Sequence, residues 1–336
     1  NATACCTSAD SKENGYCSSS KAGCSTNCTR LAIAKRALFN VLDDDNNNVI
    51  DTQDMNSLQV RFGYMRYYNC SSDDTANDYT KGCNRLVTKI SELGKESGTS
   101  YSLTYCGNST SCASTASSCS SGSCIAGESA TGGTPLASSL KEAKLYLDAH
   151  KDQDKAKACR QKFVILITDG ADTYACSGNG GECQEHMYKR RREVVAATKA
   201  LNDAGYKVFV MGFGSTMPDY LKNTLNWMAY YGGTDNPLEV NTGNESAYSA
   251  TAAASCQNDT ATEASSDCGS LISNFKAADN DPGYPSLLGY AFLAANADDL
   301  TTALRSAIAT IRESTYSFTQ SSIQSVRTID ENYLYE

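Results

Sequence analysis

The segment Lys162–Gly170 limits the possible folds more than any other part of this sequence. It reads K-F-V-I-L-I-T-D-G, so an unbroken apolar run from Phe163 to Ile167 stops abruptly at Thr168 and Asp169. A run that is apolar on both faces is typical of a central strand in a parallel sheet, with helices covering each face. Ligands of open α/β sheets bind at the carboxyl ends of the strands, so we expect Asp169 at a functional edge.

Apolar periodicity elsewhere continues the alternation of strands and helices. Residues that recur at helical spacing predict amphipathic helices, and a second continuous apolar run, ended by Gly214, predicts another buried strand. The predicted helices cover 29–42, 135–147, 185–204, 219–230 and 296–311, and the further strands cover 206–213 and 287–293. The expected fold is therefore α/β, with a doubly wound, mainly parallel sheet and helices on both faces.

Less regular segments of the sequence predict shorter strands and helices. Alternation of apolar and polar residues predicts a strand within 58–69, while composition favours short strands near 101–105 and at 238–241 and a short helix at 84–93. The basic run Lys189–Arg192 lies on the predicted 185–204 helix. In an acidic protein, such a run is typical of a solvated helix face.

The charge of the chain limits its partners. The formal net charge of −9 argues against nucleic acid or an anionic membrane as the main partner. A chain of this charge instead favours cations. No apolar run is long enough to span a bilayer, so we expect no membrane insertion.

Cysteine usage points to an oxidising compartment. The sequence contains 16 cysteines but no C-x-x-C pair, and His150 and His186 are its two histidines. Zinc sites usually show paired cysteines and nearby histidines, so disulfides explain this composition better. We expect a disulfide-stapled amino-terminal segment over 1–28 and a Cys-rich, disulfide-stapled insertion near 95–130. The candidate local pairs are Cys176 with Cys183 and Cys256 with Cys268, and the remaining pairing stays open.

The acidic stretch 43–54 has the spacing of a calcium-binding loop. Calcium takes six to eight oxygen ligands, and an EF-hand loop supplies them from positions 1, 3, 5, 7, 9 and 12. Asn48 stands where glycine is usual, which is tolerable because Asn adopts left-handed backbone readily, and the last ligand is Asp instead of the longer Glu. A solvated acidic turn is the alternative. The predicted ligands are Asp43, Asp45, Asn47, the carbonyl of Val49, Asp51 and Asp54.

A second candidate metal position depends on a family resemblance. The turn G-G-T-P-L before the 135–147 helix, in which Thr134 is a candidate helix cap, precedes the strand ending T-D-G. This order resembles the von Willebrand factor A domain over about residues 29–313. The resemblance implies a divalent ion, Mg²⁺ or Ca²⁺, above the sheet, with Thr134 and Asp169 among its ligands.

One part of that family pattern is missing from this sequence. Family members carry a D-x-S-x-S turn after a first apolar strand, and nothing within residues 1–28 matches either feature. We therefore expect the missing strand either upstream of this sequence, in a longer polypeptide, or donated by another chain.

A narrower resemblance suggests a biological setting. V-L-D-D-D-N-N-N-V-I-D, followed by V-R-F-G-Y-M-R-Y-Y-N-C and then by G-T-P-L and L-I-T-D-G, resembles type IV pilus tip adhesins and assembly proteins of the PilY1 family. The resemblance implies a secreted module at the cell surface or pilus tip. Its partners would be minor or major pilins and a host or abiotic surface. Residues 314–336 would be an extended exit segment toward a downstream domain.

Two other classes of function compete with an adhesion module. An enzyme is disfavoured because the sequence lacks the common hydrolase, zincin and dinucleotide motifs, and Cys183, three residues before His186, is a candidate disulfide partner. We therefore expect no catalytic residues. A structural subunit of an extracellular filament, completed by strand donation from a partner, is the other alternative. Self-assembly in solution would distinguish it.

Overall fold

The computed structural model describes residues 30–67, 86–88, 90, 101–114, 119–129, 133–154, 157, 160–175, 187–214, 217–250 and 286–314. Helices and strands alternate along most of these ranges. The helices are α1 Arg30–Leu42, α2 Thr52–Leu58, α3 Tyr101–Cys106, α4 Leu136–Gln153, α5 Met187–Asp203, α6 Asp219–Tyr231 and α7 297–314. The strands are β1 Val49–Ile50, β2 Tyr64–Met65, β3 Leu86–Thr88, β4 Cys112–Ala113, β5 Lys162–Thr168, β6 Tyr206–Phe213, β7 Thr242–Gly243, β8 Leu287–Leu288 and β9 Phe292–Ala294.

A parallel sheet of β5, β6 and β9, in that order, forms the centre of the fold. β5 and β6 pair along their whole length, from Lys162 opposite Tyr206 to Thr168 opposite Gly212. β9 pairs with the carboxyl-terminal part of β6, where Met211 lies opposite Phe292. Three short antiparallel pairs, β1 with β4, β2 with β3 and β7 with β8, surround this sheet. The predicted α/β class with a parallel sheet is confirmed.

Side chains that alternate along the strands pack in two separate hydrophobic cores, one on each face of the sheet. From β6, Val208 and Val210 pack with α4, α5 and α6, whereas Phe209, Met211 and Phe213 pack on the opposite face with α1, α3 and α7. Successive strand residues point to opposite faces, so a run that is apolar throughout supplies both cores. Helices therefore cover both faces of the sheet, as the continuous apolar runs predicted.

β5 differs from the predicted central strand in one respect. Among the described residues it pairs on one side only, with β6. Phe163, Val164 and Ile165 are half-buried, whereas β6 is buried from Val208 to Phe213. A continuous apolar run therefore does not by itself determine how many strands pair with a strand, or how completely its side chains are buried.

Several short predictions were wrong. Residues 101–105 form helix α3 instead of a strand, 86–88 are a strand where a helix was expected, and 238–241 form no strand. The strand predicted within 58–69 was right in type but is reduced to Tyr64–Met65. Tyr101 and Tyr105 have side chains that favour strands by propensity. Their rings contact Phe62 and Phe39 edge to face, with centroids 5.3 Å apart in each pair, so tertiary packing determines the helix.

The predicted solvated face of the basic helix was also wrong for two of its arginines. α5 packs against both α4 and α6, and its residues Arg190 and Arg191 are only 1% and 4% exposed. The Arg191 guanidinium lies 4.1 Å from the centroid of the Tyr220 ring, a cation–π arrangement. Arg190 donates through Nη1 to the carbonyl oxygen of Asp172 at 3.4 Å.

Two disulfides, Cys106–Cys112 and Cys119–Cys124, confirm the predicted stapled insertion. The candidate pairs Cys176–Cys183 and Cys256–Cys268, the segment 1–28 and the exit segment beyond 314 lie outside the described residues. Within the described ranges, no helix combines the length and apolarity needed to cross a bilayer.

Candidate metal centre

The predicted calcium loop connects two helices at the positions that an EF-hand requires. α1 ends at Leu42, immediately before the loop, and α2 begins at Thr52, the tenth loop position. Asp51 is the N-cap of α2, and its carboxylate accepts a hydrogen bond from the Gln53 N–H at 2.7 Å. Asp54 completes a capping box by accepting from the Asp51 N–H at 2.8 Å. The last two predicted ligands thus also begin the second helix.

Three carboxylates of the loop converge. One oxygen each from Asp43, Asp45 and Asp54 lies within 4.8 Å of the others. Calcium binds oxygen at 2.3–2.6 Å, so oxygens on opposite sides of one ion are about 5 Å apart. Asp43 and Asp54 are buried, at 4% and 0% exposure, whereas Asp45 is exposed. The three oxygens are therefore close enough to bind one metal ion together.

Left-handed residues fold the loop around these carboxylates. Asn46 and Asn48 have φ of 58° and 71°, the region that the sequence predicted for Asn48 in place of glycine. This turn directs the Asn48 N–H to the Asp43 carboxylate, at 3.0 and 3.2 Å from its two oxygens. Asp54 accepts from the Asp44 N–H at 2.7 Å, which closes the loop from the other end.

Burial dominates the electrostatics of the loop. It raises the pKa of the Asp43 and Asp54 carboxyl groups above their ordinary value of 3.8; backbone hydrogen bonds oppose this shift, and repulsion among the loop carboxylates adds to it. In the described part of the chain, no Lys or Arg forms an ion pair with either group. Arg305 of α7 instead contacts the Asn40 carbonyl oxygen and the Asn46 side chain, at 3.1 and 3.4 Å. Within the described residues, the loop therefore concentrates negative charge with no cation paired to its two buried carboxylates.

The remaining predicted ligands support the loop backbone. The Asn47 side-chain oxygen accepts from the Val49 N–H at 2.8 Å, and its amide nitrogen donates to Asp45 at 2.9 Å. Val49 belongs to β1, which pairs with β4. The structure thus brings together the three carboxylates, while Asn47, Val49 and Asp51 adjoin them and fix the turn.

The second candidate position, at the carboxyl end of β5, has a different arrangement. Asp169 is paired with Arg30, whose Nη1 lies 3.4 Å from Oδ2 and donates to the Asp169 carbonyl oxygen at 3.2 Å. Both side chains are 51% exposed. Thr134 is hydrogen-bonded to the loop that follows β5 and contains Asp169. Its N–H donates to Thr173 Oγ1 at 2.8 Å, and its carbonyl oxygen accepts from the Thr173 N–H at 3.1 Å. Both predicted ligands therefore belong to connected loops, with a guanidinium beside the carboxylate.

The predicted capping role of Thr134 was wrong, and Asp172 performs it instead. The residue preceding α4 is Pro135, without a side-chain cap, whereas Asp172 Oδ2 accepts from the Ala137 N–H at 2.7 Å. Asp172 Oδ1 also accepts from the N–H groups of Tyr174 and Ala175, at 2.8 and 2.6 Å. Burial raises the pKa of this carboxyl group.

Sequence reasoning missed the roles of Asp172, Arg30 and Tyr67. A second Asp soon after T-D-G was a usable signal, because helix amino termini favour carboxylates. Arg30 gave no signal, since it lies 139 residues from Asp169 in the chain. Tyr67, whose hydroxyl donates to the Ile167 carbonyl oxygen at 2.9 Å, is 100 residues from its acceptor.

Comparisons with protein-family models, with characterised proteins and with solved structures found no match for this chain. The functional argument therefore depends on the geometry described above.

Proposed function

We propose that this chain is a calcium-binding, non-enzymatic adhesion and assembly module of a secreted bacterial pilus tip protein. The observation that carries the proposal is the convergence of Asp43, Asp45 and Asp54 in a helix–loop–helix. The sequence resemblance supplies the biological setting, and the geometry supports its calcium-binding part.

The charge balance of the loop supports calcium as the ligand. Asp43 and Asp54 are buried, and no described cation pairs with either of them. Their charged forms disfavour the folded state, because burial penalises a charged carboxylate. A divalent ion with hard oxygen preference would offset both the lost hydration and the mutual repulsion. Calcium binding and folding of the loop would therefore stabilise each other.

The contacts of the loop suggest what calcium would brace. α1 packs on the central sheet and leads into the loop, β1 joins the disulfide-stapled insertion, and Arg305 of α7 contacts Asn46. An ion at this junction would hold together segments distant in sequence. Such bracing suits a module that bears pulling force at the tip of a filament.

We further propose a von Willebrand factor A-like fold. Three observations support it: the parallel order of β5, β6 and β9, the helices on both faces of the sheet, and the hydrogen bonds between Thr134 and the loop after β5. In this fold a divalent ion, Mg²⁺ or Ca²⁺, at Thr134 and Asp169 would replace Arg30 as the partner of the Asp169 carboxylate. Pilins and an external surface ligand are the proposed partners.

One observation favours the alternative of a filament subunit. The outer edge of β5 has no paired strand among the described residues, and its side chains are half-buried, which suits a donated strand. Sedimentation of the purified oxidised chain distinguishes the two functions. A monomer that binds purified pilin only with calcium supports the tip module, whereas concentration-dependent polymers without pilin support the filament subunit.

Isothermal titration calorimetry of the oxidised chain tests the calcium proposal. Asp45→Ala is the informative variant, because Asp45 is exposed and its loss leaves the buried hydrogen bonds of Asp43 and Asp54 intact. Asp44→Ala is the matched control: it removes the same charge from the next residue, whose side chain is outside the convergent group.

We expect one calcium ion per chain at this loop in the wild type and in Asp44→Ala. In Asp45→Ala the affinity should fall by about tenfold or more, since loss of one charged ligand costs more than about 1.4 kcal/mol. Equal affinity in all three proteins would place any calcium elsewhere. No binding by the wild type would refute the proposal.

A further inference from the structure

We propose that the Cys106–Cys112 disulfide is a positioning element of the calcium loop and sets its affinity. The inference rests on the calcium site proposed above. It assigns to the stapled insertion a role beyond general stabilisation: the insertion supplies the strand against which the middle of the loop is formed.

The contact between loop and insertion occurs at the centre of the loop. β1, Val49–Ile50, pairs antiparallel with β4, with Val49 opposite Ala113 and Ile50 opposite Cys112. The Ser114 N–H extends this ladder by donating to the Asn48 carbonyl oxygen at 3.1 Å. The paired residues are loop positions 6 to 8, and they include Val49, the predicted carbonyl ligand. The position of β4 therefore determines where that carbonyl lies relative to the carboxylates.

A ladder of two residues in each strand does not hold itself in place. β4 is fixed at Cys112 by the disulfide to Cys106, the last residue of α3. Ile50, Cys106 and Cys112 are fully buried, so the bridge and the ladder belong to one packed unit.

α3 in turn is anchored to the helix that enters the loop. The Tyr105 hydroxyl donates to the Lys35 carbonyl oxygen of α1 at 3.1 Å, and its ring contacts Phe39 of the same helix. The Tyr101 hydroxyl donates to the carbonyl oxygen of Val60, just beyond α2. The bridge thus transmits the position of both loop helices to β4, and from β4 to the centre of the loop.

Without the bridge, residues 107–111 would no longer be closed at both ends, and β4 would sample more conformations. The loop would then have to order β4 when it binds calcium, and this conformational cost lowers affinity. The second bridge, Cys119–Cys124, closes a neighbouring turn of similar length whose residues do not pair with β1. It is therefore the natural control.

The test compares calcium affinities by calorimetry for three oxidised proteins: the wild type, Cys106→Ala/Cys112→Ala and Cys119→Ala/Cys124→Ala. Cooperative thermal unfolding establishes that each variant is folded. We expect the first double variant to lose about tenfold or more in affinity, and the second to stay within about twofold of the wild type. In the first variant, amide hydrogen exchange at Ile50 should accelerate relative to exchange in β6, whereas uniform destabilisation would accelerate both.

A further variant tests the same inference if Cys106→Ala/Cys112→Ala does not fold. Ser114→Pro removes the N–H that donates to Asn48 and leaves both bridges intact. Weakened calcium binding by this variant supports the role of the strand pairing. Unchanged affinity in Ser114→Pro, or in a folded Cys106→Ala/Cys112→Ala, overturns the inference while the calcium site stands. Absence of binding by the wild type refutes the site itself and the inference with it.

Discussion

The loop 43–54 and the sheet end 168–175 both carry acidic residues, but they balance the charge in different ways. In the loop, Asp43, Asp45 and Asp54 converge and no described cation pairs with the two buried groups. At the sheet end, Asp169 is paired with Arg30, and Asp172 is enclosed by three backbone N–H donors. Among the described residues, the first arrangement lacks a cation beside its carboxylates, whereas in the second each carboxylate has a partner within the chain.

This difference shows that acidic composition alone does not identify a metal site. A carboxylate that accepts backbone hydrogen bonds at a helix start stabilises local structure, as Asp172 does for α4. Carboxylates whose oxygens converge without a protein cation beside them are candidate metal ligands. Asp54 combines the two features, since it closes the loop by accepting from backbone donors and also belongs to the convergent group.

The largest expected effect comes from removing one buried carboxylate from each region, Asp54 from the loop or Asp172 from the sheet end. Asp54→Ala and Asp172→Ala each leave three backbone N–H groups without their acceptor, at Asp44, Asp45 and Asp51 or at Ala137, Tyr174 and Ala175. We expect a loss of about 2–4 kcal/mol in unfolding free energy for each variant in chelator. Urea denaturation measures it.

Calcium should separate these two variants. Added calcium stabilises a protein that binds it in the folded state, so the wild type and Asp172→Ala should gain similar stability. Asp54→Ala should gain much less, because a ligand is lost. An equal gain by all three proteins would contradict the distinction between the two regions.

A smaller effect is expected in the pH dependence of stability at the sheet end. Burial raises the pKa of Asp172 in the folded state above the ordinary 3.8, so the folded chain binds this proton more tightly than the unfolded chain does. The contribution of Asp172 to stability is therefore most favourable at low pH and falls as pH rises from about 4 through the raised pKa.

Chelator-treated wild type and Asp172→Asn, which cannot titrate at this position, provide the comparison. As pH rises from about 4 through the raised pKa, the unfolding free energy of the wild type should fall relative to that of Asp172→Asn. A difference that moves in the wild type's favour would show that the three backbone donors outweigh burial.

The smallest effect is expected at the exposed ion pair. Arg30→Gln removes the partner of Asp169, but both side chains are half-exposed, so the unfolding free energy should change by less than about 1 kcal/mol. Calcium affinity of the loop should stay at the wild-type value. If Thr134 and Asp169 hold a divalent ion, Mn²⁺ measured by electron paramagnetic resonance should bind more tightly to Arg30→Gln than to the wild type. Tighter Mn²⁺ binding by the wild type would contradict competition between Arg30 and the ion.

Much of this molecule could be predicted from local sequence. β6 was predicted with its observed bounds, α5 and α6 were placed within two residues of theirs, and α4 was predicted at its start but six residues too short. Apolar periodicity records which face of an element is shielded from water. The left-handed Asn48 was predicted from turn chemistry. The convergence of Asp43, Asp45 and Asp54 agrees with the ligand spacing, because positions within one loop are constrained by a few backbone dihedrals.

The chain by itself thus determined the periodic elements, the oxidised, stapled character of the 101–129 region and the acidic loop. Tertiary structure alone decided that β4 pairs with β1, that Arg30 faces Asp169, that Arg190 is buried and that Tyr101 belongs to a helix. Helical and strand periods and turn preferences are set by neighbouring residues, so a sequence displays them directly. Contacts between segments far apart in sequence depend on how whole elements pack, and no local pattern records that packing.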